Sequence, residues 1–256
     1  MENILFKKSY LLNNLKEIKF KDLWGSYGIF TTIRIIGKPI KILFFKDHIN
    51  NLIKSLKVYK INTINLEKKL KKIIKINLKY NVKYNHLLRL AVNNKTISVS
   101  LRKRLKPKNK FSARIKNYKR INPKLKNLKY NKILSFLYNI NTTNTEVILS
   151  YKKKLLEGCT TNVLFVSNNK IYSPGKNIYE GTTLRFFKRK IKTIKKKDIF
   201  LDRLEKFDEI ILIGSGKGVA SVQTINQIKW KRKSLKFYNI LSKNYKSAVS
   251  NCKRYQ

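Results

Sequence analysis

The chain has 256 residues, of which 60 are Lys or Arg and 13 are Asp or Glu, for a formal net charge of +47. With 42% hydrophobic and 11% aromatic residues it has the makings of a folded core, which excludes a disordered tail. No run of about 18 apolar residues occurs, which excludes a membrane-spanning helix, and the two cysteines, Cys159 and Cys252, lie outside any CxxC or CxxH spacing, which excludes a disulfide scaffold and a cysteine-rich zinc site.

The start, MENILFKKSY, lacks an apolar secretory core, so the expected home is the cytoplasm. The charge has two readings, a polyanion-binding surface or the Lys, Asn and Ile loading of an AT-rich coding sequence. The basic residues run from Lys7 to Arg254, with Asn and Ile abundant beside them, a dispersion that favours composition over a binding arm. Zinc-finger spacing, a basic heptad region and an aromatic RNA-binding signature are all missing. No specific nucleic-acid partner and no membrane partner is therefore expected.

In chain order, residues 28–45 (GIFTTIRIIGKPIKILFF) predict two strands joined at Gly37-Lys38-Pro39. Ile49, Leu52, Ile53 and Leu56 then recur at helical spacing, with Asp47 as the expected N-cap. Residues 66–80 predict a second amphipathic helix. HLLRLAVNN and KTISVSLRK predict a hairpin turning at Asn93-Asn94. The basic stretch 103–126, with Pro107 and Pro123, is the expected domain boundary, placing an N-terminal α/β domain at 1–117 and a C-terminal domain at 118–256. Beyond it come a helix over 130–138, the strand EVILSY, and LLEGCTTNVLFVSNNKIYSP as a strand, a turn and a hairpin. TLRFFKRKIKTI reads as a basic helix, DEIILIGSGKGVASVQTI as strand, glycine-rich loop and strand, and residues 234–251 as a closing helix. Strands and helices are mixed throughout, so the fold class is α/β or α+β.

Three segments carry chemistry. Gly214-Ser215-Gly216-Lys217-Gly218 ends a strand in small residues that expose backbone N–H groups to an anion, with a hydroxyl and an ammonium beside them. It is neither a Walker loop nor a dinucleotide fingerprint, and alone it suits a plain β-turn equally well. Gly181-Thr182-Thr183 opens a helix, where amides and hydroxyls favour an anion. The third is residues 123–134, PKLKNLKYNKIL, followed by LLEGCTTN at 155–162.

In this order the segments resemble the class IV aminotransferases, the fold-type-IV pyridoxal-phosphate (PLP) enzymes. That family carries a K-x-L-N-like stretch, an E-G-x-x-x-N segment, a G-[IV]-T-R-type turn and a T-G-T-x-x-G-V-type loop. Here they read Lys126-Asn127-Leu128-Lys129, Glu157-Gly158-Cys159-Thr160-Thr161-Asn162, Gly181-Thr182-Thr183-Leu184 and Gly214-Ser215-Gly216-Lys217-Gly218-Val219. GIFTTIRI and FFKDHINNL are similar to the family's G-x-F-E-T-I-R strand and F-x-x-x-H-x-x-R-L helix, so the resemblance runs from about Gly25 to Trp230.

The resemblance implies a small N-terminal α/β domain, a larger C-terminal pseudo-barrel domain and a homodimer. It implies that Lys126 binds PLP covalently and moves the substrate α-proton, with Lys129 and then Lys124 as alternatives. Lys126 is preferred for its K-N-L context and its separation from Glu157, 157 − 126 = 31 residues. Glu157 would face the pyridine nitrogen and keep it protonated. Thr182, Thr183, Ser215 and Gly216 would hold the phosphate, and Lys217 would add charge or line the substrate mouth. Two positions depart from the pattern: Asn51 stands where the family has its phosphate-binding arginine, and Thr32 where it has a glutamate. An amide cannot supply a guanidinium's charged fork. His48 reads as a packing or capping residue, and Cys159 as a small buried one. Among the family's reactions, the short chain favours 4-amino-4-deoxychorismate lyase, which eliminates pyruvate to give 4-aminobenzoate, with a branched-chain or D-amino-acid aminotransferase as the alternative. A reading of another class is an inactive, polyanion-binding protein on this fold.

Overall fold

The computed structural model describes residues 4–255. The chain forms two compact units, the first made of the chain up to Arg104 with residues 125–131 and the end from Asn251, the second of residues 105–124 and 132–250. The chain thus passes between the units several times, where the sequence suggests one boundary after residue 117.

In the first unit, β1 (Ile4–Leu11), β2 (Glu17–Ile18), β3 (Gly28–Gly37), β4 (Lys41–Ile42), β5 (Tyr84–Asn93) and β6 (Thr96–Lys103) form an antiparallel sheet in the order β2-β1-β6-β5-β3-β4. Side-chain alternation sends Ile29, Ile33 and Ile35 of β3, Leu88, Leu90 and Val92 of β5, and Ile97, Val99 and Leu101 of β6 into one core. Helices α1 (Phe45–Val58) and α2 (Leu66–Asn77) close that core with Ile49, Leu52, Leu56, Leu70 and Ile73. The β5–β6 turn forms where expected, with Asn93 Oδ1 accepting the N–H groups of Lys95 and Thr96 at 3.0 and 2.8 Å. Helix α1 starts two residues before the expected cap. Phe44 takes a left-handed conformation at its N-cap, and Asp47 falls in the first turn, where its charge suits the helix dipole.

Residues 125–131 return to this unit and lie along the free part of β3. Phe30 N–H donates to the Lys126 carbonyl at 2.9 Å, and Leu128 N–H to the Gly28 carbonyl at 2.9 Å. Tyr130 stacks on Trp24 at 5.5 Å and meets Phe30 edge-on at 5.2 Å. Gly28 makes this possible by lacking a side chain: a Cβ there would sit 2.4 Å from the Val92 carbonyl oxygen and 2.7 Å from Leu128 Cδ1.

The second unit holds two sheets. One is six-stranded, in the order β13-β9-β8-β7-β16-β17, built from β7 (Ser112–Asn117), β8 (Thr145–Tyr151), β9 (Lys154–Gly158), β13 (Ile199–Phe200), β16 (Thr224–Ile225) and β17 (Trp230–Lys231). The other is five-stranded, in the order β12-β11-β10-β14-β15, built from β10 (Asn162–Ser167), β11 (Lys170–Pro174), β12 (Lys195–Lys197), β14 (Glu209–Gly214) and β15 (Gly218–Ser221). Ala113, Ile148, Leu155 and Ile225 of the first sheet pack with Val163, Phe165, Ile210 and Leu212 of the second, so the core lies between them. Leu164, Ile211 and Ile213 are buried as well, so β10 and β14 are covered on both faces, which is why VLFV and IILI read as unbroken apolar runs. Helices α3 (Asn131–Tyr138), α4 (Thr182–Lys190) and α5 (Lys236–Ser250) and two 3₁₀ turns, Leu201–Lys206 and Asn226–Ile228, complete the order.

Gly28→Ala should lower stability by roughly 1–3 kcal/mol through overpacking and loosen the 125–131 segment first. Hydrogen exchange at the Phe30 and Leu128 amides checks this; unchanged protection there would contradict the crowding at Gly28.

Candidate active site

Glu157, near the end of β9, is 5% exposed. Its Oε1 accepts from Arg120 Nε at 2.8 Å and Nη2 at 2.7 Å, and its Oε2 accepts the Tyr179 backbone N–H at 3.1 Å. Arg120 is equally buried and also donates to the Pro123 carbonyl at 2.8 Å. A buried carboxylate met this way has its charge matched and both oxygens satisfied.

From Glu157 the hydrogen bonds lead to the start of α4. Asn162, the first residue of β10, donates its side-chain amide to the Tyr179 carbonyl at 2.5 Å and accepts the Gly181 N–H at 3.0 Å. A Cβ at Gly181 would lie 2.9 Å from Asn162 Oδ1, so this approach requires glycine. Thr182 and Thr183 follow as buried residues in the first turn of α4, which has no side-chain cap and no acidic residue. An uncapped helix start with two hydroxyls is a donor set that fits a phosphate. Burial raises the Tyr179 phenol above its usual range, so it stays protonated near neutrality.

The glycine-rich segment is a tight hairpin loop: Gly214 pairs with Gly218, leaving Ser215, Gly216 and Lys217 between β14 and β15. Gly218 takes φ 72°, a left-handed value that glycine adopts freely. Lys217 is turned into the unit, its ammonium 3.2 Å from the Thr142 carbonyl and 3.6 Å from Glu146 Oε2.

Lys126 belongs to the first unit. Its ammonium lies 4.8 Å from the centre of the Phe30 ring. It is half-buried, whereas Lys124 and Lys129 are exposed. Behind β3, His48 Nδ1 is 2.8 Å from Thr31 Oγ1, and burial, reinforced by the Lys126 cation, pushes the imidazole pKa down to about 3. Asn51 is buried on α1. The second unit therefore links Glu157 by hydrogen bonds through Tyr179 and Asn162 to Gly181, directly before Thr182 and Thr183, and places Ser215, Gly216 and Lys217 on another loop, while Lys126 belongs to the first unit.

Four residues escaped the sequence reading as site residues: Arg120, Glu146, Asn162 and Tyr179. Arg120 was hidden among lysines and Tyr179 acts through its backbone. Glu146 did carry a signal, being an acid inside the apolar run EVIL in a chain with 13 acids against 60 bases.

The Amino-transferase class IV family model matches residues 28–225. The chain belongs to the class IV aminotransferase family. It is similar across its whole length to the branched-chain aminotransferase of Thermoproteus uzoniensis with norvaline, at 17% identity and TM-score 0.76 over 100% of this chain and 97% of that one. A putative branched-chain amino acid aminotransferase from Thermotoga maritima is similar at 18% identity and TM-score 0.73 over 96% of each chain. A hypothetical aminotransferase from Mycobacterium tuberculosis in its PLP-bound form is similar at 14% identity and TM-score 0.71, over 95% of this chain and 99% of that one. No curated protein is significantly similar to the chain in sequence. At such identities the structural likeness shows the fold, that of the fold-type-IV enzymes, and the family membership makes this class IV protein a PLP-dependent enzyme. When bound, PLP supplies the electron sink for carbanion chemistry at an amino acid. No helix among the described residues is long and apolar enough to cross a membrane.

The buried His48 makes the class IV enzyme acid-sensitive. The unfolded chain protonates this imidazole near pH 6.5 and the folded one only near pH 3, so the stabilisation is complete above pH 6.5 and declines as pH falls towards 3. Urea unfolding between pH 7 and 4 should show a shallower loss for His48→Gln than for the parent protein. Equal slopes would contradict a neutral buried imidazole.

Proposed function

We propose that the protein is an aminotransferase that moves an amino group from a branched-chain or similar amino acid to a 2-oxo acid. The observation that carries this reading is the full-length likeness to branched-chain aminotransferases, combined with an anion-fitting cradle beside a guanidinium-held carboxylate. The lyase reading rests on chain length alone and yields to it. In this proposal Lys126 carries the cofactor and moves the α-proton, a role suited to its half-buried place over Phe30. Glu157, held by Arg120, faces the pyridine nitrogen. Thr182, Thr183, Ser215 and Gly216 receive the phosphate through hydroxyls and backbone N–H groups. These are neutral donors apart from the helix dipole, which offsets part of what Asn51 cannot supply. The active form in this proposal is a homodimer.

Incubation of the PLP-loaded protein with leucine, isoleucine, valine or D-alanine and 2-oxoglutarate should yield the matching 2-oxo acid and glutamate, while 4-amino-4-deoxychorismate should yield no 4-aminobenzoate. The opposite pattern would establish the lyase. Lys126→Ala should abolish turnover, and borohydride reduction with peptide mapping should place the pyridoxyl group on Lys126. A label on Lys129 or Lys124 would move the assignment. Sedimentation equilibrium should give twice the 30.3 kDa of one chain; a fully active monomer would refute the dimer.

A further inference from the structure

Lys217 sits in the loop that carries Ser215 and Gly216, and its charge suggests a direct partner for a phosphate. Its geometry points elsewhere. The residue is only 8% exposed and its ammonium reaches the Thr142 carbonyl at 3.2 Å and Glu146 Oε2 at 3.6 Å. Glu146 is fully buried at the start of β8 and is a junction of several contacts. Oε2 also accepts the hydroxyls of Thr160 at 2.5 Å and Thr161 at 3.2 Å, and Oε1 accepts the Val147 N–H at 3.1 Å. Those threonines belong to the turn after Glu157, where Gly158 N–H donates to the Thr161 carbonyl at 2.9 Å and Cys159 N–H to the Val147 carbonyl at 2.8 Å. The two loops also touch directly. A Cβ on Gly214 would lie 3.3 Å from the Thr160 carbonyl oxygen and 3.6 Å from Thr161 Cα. One carboxylate thus ties the turn after Glu157 to the Ser215–Lys217 loop, and the ammonium that completes the tie has its charge matched there.

We propose that Lys217 and Glu146 act together as positioning residues, fixing the Ser215-Gly216 backbone and hydroxyl against the 158–161 turn so that the loop is already shaped for a phosphate. The inference rests on the reading that this loop receives the PLP phosphate. It gives Lys217 a different part in that reading, holding the loop instead of neutralising the ligand. A cationic phosphate ligand and a loop anchor predict opposite signs when Glu146 is neutralised. Removing an anion near a phosphate should tighten binding if Lys217 acts by charge, and should loosen it if Lys217 acts through Glu146.

The test measures the affinity of the apo-protein for PLP, for unphosphorylated pyridoxal and for competing inorganic phosphate in K217M, K217R, E146Q, the double variant K217M/E146Q and S215A. A buried charge left alone is destabilising, so the double variant, which removes both charges, serves where a single variant folds poorly. The expected result is that K217M and E146Q each weaken PLP and inorganic phosphate binding on the order of tenfold, that the double variant is no weaker than either, and that K217R recovers most of the loss. Pyridoxal affinity should be unchanged throughout, an outcome that general destabilisation would not give. Unchanged or tightened PLP binding in E146Q, or losses that add in the double variant, would overturn the positioning role. S215A should weaken PLP binding as well; no effect there would instead strike the phosphate reading of the loop itself.

Discussion

A carboxylate removed from water costs several kcal/mol unless donors meet its oxygens, and the second unit buries three of them almost completely. Glu146, Glu157 and Glu209 are all 5% exposed or less, in a chain whose acids are outnumbered 60 to 13. Each has its oxygens met and each ends up fixing a turn. Glu157 binds Arg120 and the Tyr179 backbone, and Glu146 joins two loops. Glu209 accepts from the N–H groups of Phe237 and Tyr238 at 2.8 Å each and from Ser234 Oγ at 3.1 Å, which holds the start of α5 to β14. The irregular parts of this unit are therefore held by charge-assisted hydrogen bonds, while its apolar core holds the sheets.

The exposed cations are a different population. They decorate edge strands such as β12, whose three residues are all exposed lysines, and the last turn of α4, where Arg189 and Lys190 suit the negative end of the helix dipole. Edge lysines also discourage pairing with another chain. Among the buried cations, Arg120 is matched to Glu157 and Lys217 to Glu146.

Much of this was legible in the sequence, for reasons that differ by element. The hairpin at Asn93 and helix α1 were readable because their alternation and helical spacing survive the lysine bias. Strands β1 and β7 were not; β7 buries only Ala113 fully and interleaves Arg114 and Lys116 with Ser112, Ile115 and Asn117. Its pairing with β8 is parallel, a long-range contact that leaves no local turn signal. Motif order singled out Glu157, Thr182, Thr183 and the Ser215 loop as candidates, because backbone-donating turns need glycine and small hydroxyl residues at fixed places. The residues that hold those turns lie 37 positions from Glu157, as Arg120 does, or 75 from Lys217, as Thr142 does. Only the fold brings such pairs together.

The route of residues 125–131 has a consequence for how the protein can be divided. The chain leaves the first unit at Arg104, returns for seven residues to lay Lys126, Asn127 and Leu128 along β3, and departs again. Leu128 is fully buried there, and the last residues come back so that the Tyr255 N–H can donate to the Ile40 carbonyl at 2.8 Å. Cutting the gene after residue 104 would strand a buried leucine and two sets of backbone partners on the wrong polypeptide. The lysine segment is a short visitor to a sheet whose other strands are all encoded upstream, so neither half of the sequence encodes a complete module, and recombination between relatives would have to exchange both halves together.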